Sequence, residues 1–135
     1  YMPEAQIWGC QVQQMVKGRH EVIIGMNCDP QFGPLVMFGL GGIYVEALRD
    51  VTFRIAPFSR REAEEMVTEI RAYSLLRGVR GEPPADIAAI VDALLRVSQL
   101  VTEFPEIVEM DINPLIVREA GQGSVGIDMR LVLDS

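Results

Sequence analysis

Two short polar stretches near the end of the sequence carry residue types that bind hard metal ions. They are 111–114 (DINP) and 126–128 (GID). In a hairpin, Asp111 and Asn113 point to one face because side chains alternate, and the turn brings Asp128 back towards them. Mg²⁺ prefers carboxylate and amide oxygens and keeps positions for phosphate oxygens, so the pattern is compatible with a magnesium–nucleotide site. The alternative is that Asp111 and Asn113 face solvent on an edge strand that the following proline ends.

A glycine-rich loop occupies residues 38–46 (FGLGGIYVE). Glycines permit positive φ and close backbone approach, so this loop could present amides to a phosphate or let another chain's loop dock. Alternatively, Gly41 and Gly42 form a tight turn between strands. The residues alone leave both interpretations open.

A basic turn at residues 14–21 (QMVKGRHE) separates two stretches of strand composition. Glu21, which opens the second stretch, could accept hydrogen bonds from two ribose hydroxyls, while the backbone of the first could pair with adenine. A solvated hairpin turn with a glutamate at its rim is the alternative. His20 is the only histidine in the sequence, and its place in this turn indicates no catalytic role.

These residues must be positioned by an α+β (α/β) domain, a largely antiparallel sheet with two helices on one face. Ser59 and Glu62 have the spacing of a capping box that begins a helix over 60–73. Asp86 caps a longer apolar-striped helix that runs to Phe104. The tail is predicted to form a hairpin, with strands at 107–117 and 124–133 around the turn 119–123. The other predicted strands are 11–16, 21–27, 34–38 and 51–55.

Composition excludes several classes of function. The 135 residues suit one domain, and a net charge of -7 argues against nucleic-acid binding, which needs clustered Lys and Arg. No apolar run approaches the ~20 residues of a membrane span, and residues 1–4 (YMPE) lack the basic and apolar regions of a secretory signal, so we expect a cytoplasmic protein that binds no membrane. Cys10 and Cys28 have no metal-ligand spacing, and we expect buried free thiols.

Five motifs in order resemble the ATP-grasp region of ADP-forming acetyl-CoA synthetases. The resemblance covers residues 9–133 and is carried by 21–26 (EVIIGM), 29–34 (DPQFGP), 38–46, 80–84 (RGEPP) and 109–115 (EMDINPL). It implies that acyl-CoA, ADP and phosphate are converted to acid, CoA and ATP through an acyl phosphate and a phosphohistidine. The expected ligands are Mg²⁺ and ATP or ADP, and the expected partner is a CoA-binding, alpha-type domain or subunit.

The resemblance also implies roles for individual residues. By similarity to the succinyl-CoA synthetase beta chain, Asn113 and Asp128 hold magnesium, with Asp111 as a further candidate. Other ATP-grasp proteins suggest that Glu21 holds ribose. The adenine-facing hinge would be formed by Gln14, Met15 and Val16, and Glu46 and Arg54 follow the glycine loop and could face the phosphates.

A whole ATP-grasp domain is longer than this chain, which therefore resembles its C-terminal part without the preceding lobe. We expect that lobe to carry the phosphate-gripping lysines and, in the beta-subunit arrangement, the mobile histidine, which His20 does not match. The chain alone is therefore expected to be inactive. The rival interpretation is a non-catalytic, nucleotide-sensing module of a bacterial protein acetyltransferase.

Overall fold

An antiparallel sheet forms the centre of the structure, a computed structural model that describes residues 4, 6, 8–41, 49–79 and 81–134. The described strands follow the order β3-β2-β1-β4-β5, with β6 also paired to β4. The elements are β1 (His20–Asp29), β2 (Gly33–Leu40), β3 (Val51–Ile55), α1 (Arg60–Glu69), α2 (Tyr73–Leu76), α3 (Ile87–Glu103), β4 (Ile107–Val117), β5 (Ser124–Gly126) and β6 (Met129–Leu133). The predicted α+β class is confirmed.

One face of the sheet is covered by the helices, as predicted. Alternate residues of β1, such as Val22 and Ile24, pack with Phe38 of β2, Met66 of α1 and Leu94 of α3 in one apolar cluster. Burial of these side chains is the main stabilising term, at roughly 1.5–3 kcal/mol for each large one. The opposite face of the sheet, here called the open face, carries the intervening residues.

The first helix ends earlier than the pattern predicts, at Glu69 rather than at residue 73. Its start is as expected, because Ser59 and Glu62 form a reciprocal capping box. At the other end Ile70 adopts an extended backbone, and the buried carboxylate of Asp50 accepts hydrogen bonds from the amides of Arg71 and Ala72, both at 2.8 Å. These bonds satisfy amides outside the helix and so stabilise the break before α2.

Two further predictions are wrong. Residues 11–16 have no strand structure and are largely exposed, because strand composition forms a strand only where a neighbouring strand is available. Cys10 and Cys28 are unpaired as predicted, but both are exposed rather than buried. Cys10 lies in the irregular segment before β1, and Cys28 lies near the end of β1.

The predicted tail hairpin forms, but its second strand is interrupted. β5 pairs with the end of β4 and β6 with its beginning, and residues 127 and 128 lie between them. On the other side of β4, Val22 pairs with Leu115 and Ile24 with Ile112, so two residues of β4 oppose Ile23 alone. β4 therefore bulges at residues 113 and 114, and such bulges re-aim side chains next to sites.

No helix in the part of the chain that the structure describes is long and apolar enough to cross a membrane.

Candidate nucleotide and metal site

Asn113 and Asp128 lie side by side where β4 bulges. The amide of Asn113 donates to the carbonyl of Asp128 at 3.1 Å, and the amide of Ile127 donates to the carbonyl of Pro114 at 3.0 Å. These two backbone hydrogen bonds hold the bulge of β4 against the break between β5 and β6. Both Asn113 and Asp128 are exposed, so their side-chain oxygens are accessible to a ligand.

These two side chains fit a hard divalent cation. One amide oxygen and one carboxylate are suitable donors, and Mg²⁺ typically takes one or two protein oxygens and completes its shell with phosphate and water. Across the described ranges, no group of three or more His, Cys, Asp or Glu residues could hold a metal ion. A cation at Asn113 and Asp128 therefore needs oxygens from a ligand such as a nucleotide.

Asp111 lies on the same face of β4 as Asn113. It is half-buried, opposite Gly25 of β1 and Arg130 of β6. Arg130 forms an ion pair with Glu109, in which Nη2 and Oε1 are 3.0 Å apart. Asp111 thus lies in a row of charged groups beside the bulge, next to a shallow apolar depression of about 260 Å³ on the open face.

Glu21 lies on the open face at the start of β1 and is exposed. Its carbonyl accepts a hydrogen bond from the amide of Gly41 at 2.6 Å. A Cβ at Gly41 would lie only 3.0 Å from the carbonyl oxygen of Glu21, so glycine is needed for this close approach. The described start of the glycine-rich loop therefore supports the backbone of Glu21.

A cleft of about 730 Å³ adjoins the segment that precedes β1. Of the predicted hinge residues, Met15 lines this cleft, while Gln14 is exposed and Val16 is half-buried. The other lining residues come from one end of the β1–β4 pair, before the start of β1 and after the end of β4, and are Lys17, Gly18, Arg19, Arg118, Glu119 and Gln122. Arg118 and Gln122 were not predicted, although the β1–β4 pairing brings the end of β4 beside the start of β1.

The turn that supplies Arg118 and Gln122 is anchored by Asp86. Its carboxylate accepts from the amide of Gly123 at 2.8 Å and from Ala89 at 3.1 Å, where it caps α3. These amide hydrogen bonds, that of Gly123 above all, lower the pKa of Asp86 against the opposing effect of burial. One buried carboxylate therefore joins α3 to the wall of the cleft.

Arg54 does not join the other predicted ligand residues. It pairs with Val36, whose side chain is in the core, so it lies on the helix side of β3. There its guanidinium contacts Glu69 at 2.6 Å and Glu65 at 3.9 Å, and the hydrogen bond to Glu69 raises the pKa of Arg54. Arg54 was predicted from its closeness in sequence to the glycine-rich loop, which does not reveal on which face of the sheet its side chain lies. Glu46 lies outside the described residues.

His20 lies at the first position of β1 with its imidazole turned inwards. Nε2 is buried and has no hydrogen-bond partner among the described residues. Burial, and then the nearby charge of Arg19, lower the pKa of His20, while Glu82 opposes this shift. His20 is therefore half-buried, and its Nε2 atom does not reach solvent.

Comparison with known proteins identifies the family. A family model described as ATP-grasp domain matches residues 1–133. The chain belongs to the ATP-grasp family. Acetate--CoA ligase [ADP-forming] I of Archaeoglobus fulgidus is 61% identical over 98% of this chain, which spans 19% of that protein. Acetate--CoA ligase [ADP-forming] II subunit beta of Pyrococcus furiosus is 54% identical over 98% of the chain, which spans 57% of that subunit.

Solved structures of the dinucleotide forming acetyl-coenzyme A synthetase 1 of Ca. Korarchaeum cryptofilum share the fold of this ATP-grasp chain. The complex with coenzyme A, Ca-AMPCP and HgCl+ matches with a TM-score of 0.89 and 50% identity, over 98% of this chain and 57% of that one. A second complex contains coenzyme A and Mg-AMPPCP, with a phosphohistidine segment pointing towards the nucleotide binding site, and matches with a TM-score of 0.83, 50% identity and coverage of 88% and 55%. The chain thus spans little more than half of these proteins.

Proposed function

We propose that this chain is the nucleotide-binding part of an ADP-forming acyl-CoA ligase. The observation that carries the proposal is the adjacent pair Asn113 and Asp128, two exposed oxygen donors locked together at a bulge. The ligase names of the relatives and the nucleotide complexes of one of them support it.

The order of groups along β1 suits an extended nucleotide. Glu21 and Ile23 are both on the open face and two residues apart, which is about 7 Å along a strand. The bulge with Asn113 lies opposite Ile23, and the cleft lined by Met15 lies beyond Glu21. The nucleotide would then lie along β1, with its adenine at Gln14, Met15 and Val16, its ribose at Glu21 and its phosphates at the bulge.

Magnesium would be held by Asn113 and Asp128, with Asp111 beside them, and would neutralise phosphate charge when bound. The role of this chain is then to position ATP or ADP and to arrange charge around its phosphates, which is most of what proteins contribute to phosphoryl transfer. No described residue needs to form a covalent intermediate.

The complete reaction requires groups beyond the described residues. We propose that an acyl-CoA, ADP and phosphate are converted to an acid, CoA and ATP through a phosphohistidine contributed from outside this chain. A CoA-binding, alpha-type domain or subunit is the proposed partner. The Pyrococcus furiosus relative, which is named as a subunit beta, and the phosphohistidine segment of the Ca. Korarchaeum cryptofilum complex support this division of labour.

Calorimetric titration of the full-length parent protein with ADP in the presence of Mg²⁺ tests the proposal. Asp128→Ala and Asn113→Ala should each weaken binding about tenfold, since losing a ligand group costs at least ~1.4 kcal/mol. Asp92→Ala is the matched control, because Asp92 is an exposed carboxylate on α3 whose partner is Arg96. Equal binding by Asp128→Ala and the parent would contradict the metal assignment.

Turnover measurements on the same protein separate the ligase from a nucleotide-sensing module. The ligase should form ATP from acetyl-CoA, ADP and phosphate and should lose this activity in Asp128→Ala. Tight Mg-ADP binding by a parent protein that has no turnover would instead support the sensing module.

A further inference from the structure

We propose that Arg130 contacts a phosphate group of the bound nucleotide, an inference that rests on the proposed function. Arg130 lies on β6, directly opposite Asp111 and two residues after Asp128. Since alternate residues of a strand share a face, Arg130 and Asp111 lie on the open face together with Asn113. Arg130 is therefore the neighbour of the candidate metal site along the sheet.

Arg130 is also the only cationic residue among the strand positions of the described open face. The other charged strand positions on that face are Glu21, Asp29, Glu109 and Asp111, all acidic, and Asp128 adds a carboxylate beside them. A di- or triphosphate approaching this surface meets like charge unless cations offset it. A metal would offset part of that charge, and among the described strand positions of the open face Arg130 is the side chain that could offset more.

The present partner of Arg130 does not hold it firmly. The Arg130–Glu109 contact is an ion pair with one N–O distance of 3.0 Å, between side chains that are 66% and 40% exposed. Exposed ion pairs of this kind are weak, because water screens them and both side chains lose rotamer freedom. A phosphate group can accept two parallel hydrogen bonds from a guanidinium. We therefore expect a bound phosphate to displace Glu109 as the partner of Arg130.

The Arg130 side chain is long enough to contact a phosphate group at the candidate metal site. Asp128 directly precedes β6 and Arg130 is its second residue, so the two are about 7 Å apart along an extended chain. A phosphate bound to a metal at Asp128 would then be within the span of the Arg130 side chain. The chemical class of ligand is thus the phosphate chain of a metal-bound nucleotide, not the base or the ribose.

The test compares nucleotide and nucleoside binding to full-length variants. In Arg130→Gln, Mg-ADP should bind about tenfold more weakly, as expected for loss of one charged hydrogen bond, while adenosine should bind as it does to the parent. Arg130→Lys should recover part of the loss. Arg96→Gln, which removes an exposed arginine of similar pairing on α3, is the matched control and should leave both affinities unchanged.

Glu109→Gln distinguishes a phosphate contact from a structural role. If Arg130 only orders Glu109, this variant should reproduce the weak binding of Arg130→Gln, and that result would overturn the inference. If Arg130 contacts phosphate, Glu109→Gln should bind Mg-ADP as tightly as the parent or more tightly. Equal Mg-ADP binding by the parent and Arg130→Gln refutes the inference alone, whereas a parent that binds no Mg-ADP refutes the proposed function with it.

Discussion

At the scale of single residues, chemical identity is a poor guide to role. His20 is the only histidine of the chain, yet its Nε2 atom is buried and its pKa is lowered by burial and by Arg19. Asn113 and Asp128 have ordinary side chains but lie at a bulge that places them together. Position in the sheet therefore identifies the candidate ligands more clearly than residue type does.

His20 should not carry a phosphoryl group. Incubating the full-length protein with labelled ATP and mapping the labelled peptides should leave the peptide that contains His20 unlabelled, because the ring is turned into the protein. The full-length His20→Gln variant should be phosphorylated to the same extent as the parent. Label on His20 would disprove this prediction.

The lowered pKa of His20 also predicts a pH dependence of stability. Above the ordinary histidine pKa of about 6.5 the ring is neutral in both states and contributes no dependence. As the pH falls below that value, the unfolded chain takes up a proton that the folded chain resists, so the free energy of unfolding should fall. Arg19 reinforces this effect and Glu82 opposes it. Urea denaturation across this range should show a smaller decline in His20→Gln.

Gly41 should be intolerant of a side chain. In Gly41→Ala the new Cβ would contact the backbone of Glu21 at 3.0 Å, and overpacking of this kind typically costs about 1–3 kcal/mol. Denaturation of residues 1–135 should show this loss. Gly25→Ala is the control, because its nearest neighbour is the flexible tip of Met37 at 3.3 Å. An equal effect of both substitutions would argue against a specific role for Gly41.

At the scale of elements, the sequence predicted the helix starts and strands that depend on residues close together in the chain. The capping box at Ser59 and the cap at Asp86 predicted both helix starts, and the Val, Ile and Phe content between Gly and Pro breaks predicted β1, β2 and β3. Residues 11–16 have similar composition, but no pattern within them states whether a partner strand exists. The early end of α1 depends on Asp50, which is distant in sequence.

The site was predicted in part for the same reason. Spacing put Asn113 and Asp111 on one face, and the hairpin brought Asp128 near them. The face of Arg54 and the place of Arg130 depend on strand register, which links β2 to β3 and β4 to β6. Register is a property of strand pairs, so a single stretch of sequence does not reveal it.

Asp86 is expected to stabilise two elements at once. Asp86→Ala removes the cap of α3 and the bond to Gly123, and caps of this kind are worth about 1–2 kcal/mol. Because its folded pKa is lowered, its contribution is complete at neutral pH and is lost as the pH falls below about 4. Urea denaturation of Asp86→Ala and the parent at pH 7 and pH 3 should show a difference that shrinks in acid.

At the scale of the whole molecule, the chain has a core on one side of its sheet and the proposed ligand surface on the other. We expect residues 1–135 to fold, because the apolar cluster joins both main helices to the sheet. We also expect them to bind Mg-ATP only at about millimolar concentration or more weakly, since much of the affinity of a nucleotide site comes from enclosure and preorganised charge. Amide shifts during titration would measure this. Saturable micromolar binding would show that the described residues form a complete site.

The pairing of β1 with β4 also bears on how the molecule assembles. His20 meets Val117 and Asn27 meets Glu109, so the middle of the sheet joins residues near opposite ends of the chain. Closing so long a loop is slow, and contacts between distant residues delay folding. During synthesis β1 emerges long before β4 and presents an unpaired edge until β4 arrives. The central strand pair, and the bulge that orients Asn113, should therefore be among the last features to form.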